Sequence, residues 1–259
     1  MEMARMNIAV LKFGGTSIST PEGRRWAFKH IREHLANNLD VVVVASAMGR
    51  TGDPYSTDTL LSLLETVKVP SRDVDLLMSC GEIISTVVLS SYLTANGVTA
   101  FPMTGSQAGI LTSDNHGKGS IVNLDGRRIV EVLSEGKTPV VAGFQGRAIT
   151  GEVTTLGRGG SDITAIALAA ALGAKRVEIF KDVPGVMTGD PKVDPDARLL
   201  DRMSAGKLLL MAQTGARVIH HKAVSLAMEN RVTFHVRSNF TNEPGTIVYP
   251  AEEKFVSPS

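Results

Sequence analysis

Apolar residues along this chain gather into short β-branched runs, with amphipathic stretches between them. Residues 8–13 are apolar except for Lys12 and end at Gly14-Gly15, which predicts a short buried strand. Pro21-Glu22-Gly23 then opens a helix that carries Ala27, Phe28, Ile31 and Leu35 on one face. Val41-Val42-Val43-Val44-Ala45 is continuous and β-branched, as a strand covered on both faces should be. Residues 46–59 are rich in Gly, Asp, Pro, Ser and Thr and read as a loop, while 60–64 and 76–93 read as helices. A buried strand follows over 139–144. Ser161 or Asp162 is expected to cap an alanine-rich helix that runs to Leu172. Residues 177–180 read as a strand, and Val183-Pro184-Gly185-Val186 as a turn. Helices over 204–214 and about 216–229 precede strands over 232–236 and 246–249. Strand and helix alternate nearly throughout, so the expected architecture is a three-layer αβα sandwich around an open, mainly parallel sheet. No repeat and no low-complexity linker divides the chain. One domain over 1–250 is expected, with a loose tail over 251–259.

Composition narrows the setting. Hydrophobic residues make up 43% and charged residues 20% of 259, and the formal net charge is +1 with no long basic block. These values suit a globular protein and give no support to nucleic acid as a partner. Apolar stretches are strand-sized or interrupted by polar residues, so no membrane-spanning helix is expected. The start of the chain lacks the pattern of a signal peptide. A single cysteine, Cys80, rules out an internal disulfide and fits a reducing cytoplasm.

Two glycine-rich segments carry the chemistry. One is Lys12-Phe13-Gly14-Gly15-Thr16-Ser17, and the other is Thr155-Leu156-Gly157-Arg158-Gly159-Gly160-Ser161-Asp162. Each couples a strand end to a helix and puts backbone N–H groups where an anion can meet them. Lys12 falls where ligands bind α/β sheets, as a fixed positive charge for a transferring phosphoryl group. Arg158 offers a planar fork matched to a carboxylate or phosphate. Phosphoryl transfer is the reaction these loops suggest. A dinucleotide fingerprint fails because Asp162 stands where its third glycine belongs, and a Walker A loop ending at Gly136-Lys137-Thr138 fails because Glu131 replaces its first glycine. His220-His221 is read as an ordinary surface pair whose side chains point in different directions on a helix. Glu82 lies in an apolar helical stretch and is either at the surface or aimed into a cleft. The segment from Asp182 to Lys192 reads as a plain turn or as a loop for nucleotide and Mg²⁺.

Taken together, these motifs resemble the aspartate kinases of the amino acid kinase family. Ser46-Ala47-Met48-Gly49, Ser79-Cys80-Gly81-Glu82, Asp182-Val183-Pro184-Gly185-Val186 and Val236-Arg237-Ser238-Asn239 complete the ordered set, which spans residues 12 to about 248. Gly49-Arg50-Thr51-Gly52-Asp53-Pro54-Tyr55 looks most like the diaminopimelate-sensitive bacterial branch. The resemblance implies the amino acid kinase fold, with an N-terminal acceptor lobe and a C-terminal nucleotide lobe. It implies ATP-dependent phosphorylation of the β-carboxylate of L-aspartate, the first step toward lysine, threonine, methionine and diaminopimelate. Lys12, Phe13, Gly14, Gly15, Thr16, Ser17 and Ser46 would hold ATP phosphates. Glu82 would engage the amino group of aspartate, and Arg158, Gly159, Gly160 and Ser161 its carboxylates. Asp162 would organise the site. Lys181, Asp182, Met187, Thr188, Gly189, Asp190, Pro191 and Lys192 would line the adenine and ribose side. Mg²⁺ would travel mainly on the ATP phosphates, without a dedicated protein site.

The chain departs from the family's pattern in places. Many members have Thr-Thr-Asp where this chain has Thr51-Gly52-Asp53, so Thr51 is the remaining candidate for a substrate-contacting hydroxyl. Many have threonine in place of Lys181 and arginine in place of Lys192. Typical members add a C-terminal pair of ACT domains, whereas this chain reads as the catalytic domain alone, an expected homodimer that a separate ACT-domain regulatory subunit could join. Other amino acid kinases, acting on glutamate, acetylglutamate or a nucleoside monophosphate, and a non-catalytic nucleotide-binding subunit are the alternatives.

Overall fold

The computed structural model describes residues 6–64, 68–189, 193–194, 196–213 and 218–250. Its strands are β1 (Ile8–Phe13), β2 (Asp40–Ala45), β3 (Ala100–Met103), β4 (Ile110–Thr112), β5 (Ile121–Leu124), β6 (Thr138–Ala142), β7 (Gln145–Ala148), β8 (Val153–Thr155), β9 (Arg176–Lys181), β10 (Arg202–Ser204), β11 (Phe234–Ser238) and β12 (Thr246–Tyr249). Its helices are α1 (Gly15–Ile18), α2 (Pro21–Ala36), α3 (Thr57–Ser62), α4 (Ser71–Ala95), α5 (Arg127–Ser134), α6 (Gly160–Leu172), α7 (Ala205–Gln213) and α8 (His221–Glu229).

Eight strands make the main sheet in the order β10-β12-β11-β9-β1-β2-β6-β3. All neighbours in it are parallel except β11 and β12. Alternation along the central strands divides the core in two. Val10, Val42 and Val44 face one side with Ile166 and Ala169 of α6. Ala9, Leu11, Phe13, Val41 and Val43 face the other with Ile31 of α2 and Leu89 of α4. Burial on both faces is why these strands read as unbroken apolar runs. The expected αβα sandwich is the fold observed.

A second sheet, β5-β4-β7-β8, stands apart from the first and was not expected from the sequence. Its strands have three or four residues each, and polar side chains such as Gln145, Thr154 and Thr155 take inward positions. Periodicity over so short a stretch cannot distinguish a strand from a loop. Thr112 and Thr154 are hydrogen-bonded across this sheet through their hydroxyls.

The expectation that every apolar stretch is strand-sized or interrupted meets an exception in α4. α4 is 25 residues long with a mean hydropathy of 1.5 over its most apolar window, and 44% of that window is buried in the protein. Length and composition alone would let it cross a bilayer. Its inward face nevertheless carries Asp75, Ser79, Glu82 and Ser85, all buried against other parts of the chain. The second long C-terminal helix begins at His221 rather than near 216, because His220 takes the cap position. Residues 251–259 lie outside the described residues.

Candidate active site

The carboxyl ends of β1, β2 and β9 meet at one edge of the main sheet, the usual place for a ligand in an open α/β fold. β1 pairs with β9 so that Lys12 lies opposite Ile179, which brings Lys12 and Lys181 to adjacent strand ends. Between them stands Asp162. Lys12 Nζ is 2.8 Å from Asp162 Oδ1, and Lys181 Nζ is 2.8 Å from Asp162 Oδ2. Lys12 is 4% exposed, so the strand-end lysine is a buried one.

Asp162 reaches this position because of how α6 begins. The cap residue is Gly159, in the left-handed conformation at φ 75°, with no side-chain cap bond. The expectation that Ser161 or Asp162 caps the helix is therefore corrected. Both lie inside its first turn, where the helix dipole also favours an anion. Gly159 admits no side chain, since a Cβ there would stand 2.3 Å from the Cβ of His220.

The charges follow from burial and partners. Burial lowers the Lys12 pKa from 10.5 to about 8; attraction to Asp162 opposes the shift, and repulsion from Lys181 adds to it. Burial works to raise the Asp162 pKa, but attraction and hydrogen bonds from Lys12 and Lys181 outweigh it and hold the carboxylate at about 2. This wall of the site therefore keeps its anion and, below about pH 8, the Lys12 cation.

Beside the triad lies a cleft of about 540 Å³ lined by Lys12, Ser46, Glu82, Arg158, Gly159, Gly160, Ser161, Asp162 and Lys181. Glu82 projects from α4 and is 3% exposed. Its Oε1 accepts from the Ala47 amide at 3.2 Å, and its Oε2 has no partner. Burial raises its pKa to about 8 against the pull of backbone hydrogen bonds. Glu82 is thus an uncharged, half-satisfied acid facing the cleft. Arg158 is exposed on the cleft lining, and it forms no ion pair among the described residues.

The remaining sequence candidates vary in their distance from this cleft, and Gly14 borders the triad, since a Cβ there would stand 3.7 Å from Lys12 Nζ. The Phe13 ring belongs to the core and stacks on Phe180 at 4.7 Å. Gly14 donates to the Phe180 carbonyl, and Gly15 is packed so closely that a Cβ would lie 2.2 Å from the Ala47 carbonyl oxygen. Thr16 and Ser17 are on the short α1 and outside the cleft lining, with Ser17 fully buried. Thr51 is also outside it; its hydroxyl donates to Asp58 at 2.6 Å, and Asp58, not Thr51, faces the cleft. Lys181, expected on the adenine and ribose side, has its Nζ beside Asp162 in the triad with Lys12. Asp182 forms an exposed ion pair with Arg50. Met187 bridges to Leu199, and Thr188 exchanges hydrogen bonds with Arg198, so this turn is tied to its own return segment. Asp190, Pro191 and Lys192 lie outside the described residues. The expected divergence of the histidine pair also needs correction, because the His220 and His221 rings are 4.2 Å apart and His220 caps α8.

Some lining residues were missed: Asp58, Phe144 and Gly117. Asp75 was also missed. It lies seven residues, two helical turns, before Glu82 on α4, and that repeat of an acid on one helical face was the available signal. Among the described residues, no group of three His, Cys, Asp or Glu side chains converges as a metal site.

Comparison with known proteins places this geometry. The model of the amino acid kinase family matches residues 7–238. The chain belongs to the amino acid kinase family. It is 48% identical to aspartokinase 1 of Bacillus subtilis over 245 residues, covering 94% of this chain and 61% of that protein. A crystal structure of aspartate kinase from Synechocystis superposes with a TM-score of 0.81 at 37% identity, over 95% of this chain and 40% of that one. E. coli aspartokinase III in complex with aspartate and ADP superposes with a TM-score of 0.85 at 27% identity, over 95% of this chain and 65% of that one. The chain spans about six-tenths of the length of the curated relatives that it matches. What the family match secures is the kinase domain and its fold.

Proposed function

We propose that this chain is the catalytic part of an aspartate kinase, which transfers the γ-phosphoryl group of ATP to the β-carboxylate of L-aspartate. The observation that carries the reading is the pairing of two unlike sets of side chains in one cleft. One is the buried Lys12–Asp162–Lys181 triad; the other, the uncharged Glu82 on α4 and Arg158 on the glycine loop, lines the same cleft. The first suits a phosphoryl group, and the second suits an acceptor that carries both an ammonium and a carboxylate. A relative of the same fold has been crystallised with aspartate and ADP, which supports this choice of ligands.

In the proposed reaction, a β-carboxylate oxygen of aspartate attacks the γ-phosphorus in line. The bond from that phosphorus to the β–γ bridging oxygen breaks, and ADP leaves with the electron pair. The attacking carboxylate is already ionised, so no general base is needed. Lys12 and Lys181 would neutralise charge on the transferring group, and Asp162 would hold both ammonium groups in place before the substrate arrives. Asp162 has both oxygens occupied by lysines and is unsuited to hold a cation. Mg²⁺ therefore fits as an ion carried on the nucleotide phosphates, where it adds charge neutralisation.

The proposed assembly is a homodimer. Leu76, Ile83 and Val87 are exposed along one face of α4, an apolar strip that a second copy would cover.

The test is ADP release by the purified chain with aspartate, glutamate or UMP, together with trapping of the acyl phosphate by hydroxylamine. Aspartate-dependent release with hydroxamate formation is expected. Lys12→Ala should lower turnover roughly 10²–10³-fold. Release with UMP but not aspartate would overturn the assignment.

A further inference from the structure

Asp75 is fully buried on α4, outside the cleft lining, and takes no part in the chemistry proposed above. A buried carboxylate is costly unless it is well partnered, and this one ties two other segments to α4. Its Oδ1 accepts from the Thr155 hydroxyl at 2.6 Å and the Gly117 amide at 3.1 Å. Its Oδ2 accepts from the Thr155 amide at 2.9 Å and the Gly117 amide at 2.9 Å. His116 Nδ1 lies 3.3 Å from the same Oδ2.

The placement of these donors matters more than their number. Thr155 ends β8 and leads directly into the loop that carries Arg158, Gly159 and Gly160. Gly117 is in the connection between β4 and β5 and lines the cleft with Thr155. The Gly119 amide also donates to the Thr155 carbonyl at 2.9 Å, so connection and strand end move together. Gly157, the next turn of the loop, packs against the Gly117 carbonyl; a Cβ there would be 3.3 Å from it. On the other side, Glu82 is two turns along the same helix as Asp75, about 10 Å away by helical rise. Gln145 adds a parallel tie by donating to the Ser79 carbonyl of α4 at 2.9 Å.

We propose that Asp75 is a positioning residue for the acceptor. It sets the distance between Glu82 on α4 and Arg158 on the glycine loop by fixing Thr155 and Gly117 to the helix. This rests on the reading that Glu82 and Arg158 share one amino-acid acceptor. A ligand held at both ends senses any change in that distance, whereas a nucleotide held by the Lys12 side does not.

Three variants test it. In Asp75→Asn, an amide replaces an oxygen that accepts N–H donors. In Thr155→Val the hydroxyl bond alone is lost, and in Thr155→Ser it is kept. Losing bonds to a buried charge is expected to raise the aspartate KM by roughly tenfold or more in Asp75→Asn and by several-fold in Thr155→Val. The KM for ATP should stay within about twofold in both, and Thr155→Ser should restore the aspartate KM to within about twofold. Amide hydrogen exchange over residues 113–120 and 155–160 should quicken in Asp75→Asn and Thr155→Val and not in Thr155→Ser. Equal rises in both KM values, or an unchanged aspartate KM in folded variants, would overturn the proposal. If Asp75→Asn does not fold, the Thr155 pair decides. A wild-type chain without aspartate-dependent ADP release would sink the assigned activity instead, and the exchange measurement would still report on the Asp75 tie.

Discussion

Glu82 should lose a proton when aspartate binds, and the size of the effect follows from its surroundings. Its pKa is raised to about 8 by burial, and only Oε1 has a partner, the Ala47 amide. At pH 7 roughly nine in ten Glu82 side chains are then protonated. An arriving ammonium pairs with the anion, not with the acid. The binding-competent fraction is about one in eleven, which weakens apparent affinity about elevenfold, or about 1.4 kcal/mol. Aspartate binding at pH 7 should therefore release about 0.9 proton, and the aspartate Kd should fall about ninefold from pH 6 to pH 7. That interval is below the pKa of about 8 at which Lys12 loses its charge. Calorimetric titration of aspartate in two buffers of different ionisation enthalpy reads the proton directly. Glu82→Gln should bind aspartate more weakly, with no proton release and a flat Kd over the same interval. Tight aspartate binding by the wild-type chain with less than about 0.3 proton released would refute the pairing of Glu82 with the substrate ammonium.

Lys181→Thr should move the alkaline limb of the rate profile to higher pH, because Lys181 is one of the groups that lower the Lys12 pKa; a limb that stays in place or moves down would separate Lys181 from Lys12 function. Arg158→Lys should raise the KM for aspartate more than that for ATP, since an ammonium cannot reproduce the fork's two-point contact; equal changes would assign Arg158 to the phosphates. Away from the site, Glu178 is fully buried, with Arg176 Nε at 2.7 Å and Arg237 Nη1 at 2.8 Å. Burial pushes its pKa up, but bonds from His34 and attraction to Arg237 and Arg176 prevail and bring it from 4.5 to about 2. A depressed carboxylate adds stability above its unfolded pKa and loses it as pH falls through the folded one. About 3 kcal/mol should disappear between roughly pH 4.5 and 2, seen as a fall in Tm that is much flatter in Glu178→Gln.

The parts of this protein that are legible in its sequence are those where one physical demand dominates. β1 and β2 are buried on both faces, so their apolar runs have no competing reading. Lys12 stands out for the same reason, as the one charge in such a run. The small sheet is illegible because its strands are held by long-range polar pairs, such as Thr112 with Thr154 and Asp75 with Thr155, which leave no periodic trace. Asp162 was found as part of a motif but misjudged as a cap, since nothing local reveals that Gly159 adopts a left-handed turn against His220. The partner of Lys181 is hidden from the sequence for a related reason. The lysine's neighbour along the chain is Asp182, which turns toward Arg50, while its neighbour in space is Asp162, set by the pairing of β9 with β1.

The contrast between the two buried acids explains how one cleft can serve two unlike ligands. Asp162 and Glu82 are equally excluded from water, at 3% exposure each. Asp162 has an ammonium on each oxygen and stays ionised; Glu82 has a single amide and does not. Desolvation is the same opposing effect in both, and the number of cations in reach decides the outcome. In the proposed reading the phosphoryl side is thus organised before any ligand arrives, which is what charge stabilisation without reorganisation requires. The Glu82 side, the proposed acceptor side, is left one cation short, and an amino acid would bring that charge. A dicarboxylic acid without an ammonium would leave Glu82 protonated and gain nothing from it. In the proposed reading it is the Glu82 anion formed on binding, not the proton held beforehand, that would favour amino-acid acceptors over simple carboxylic acids.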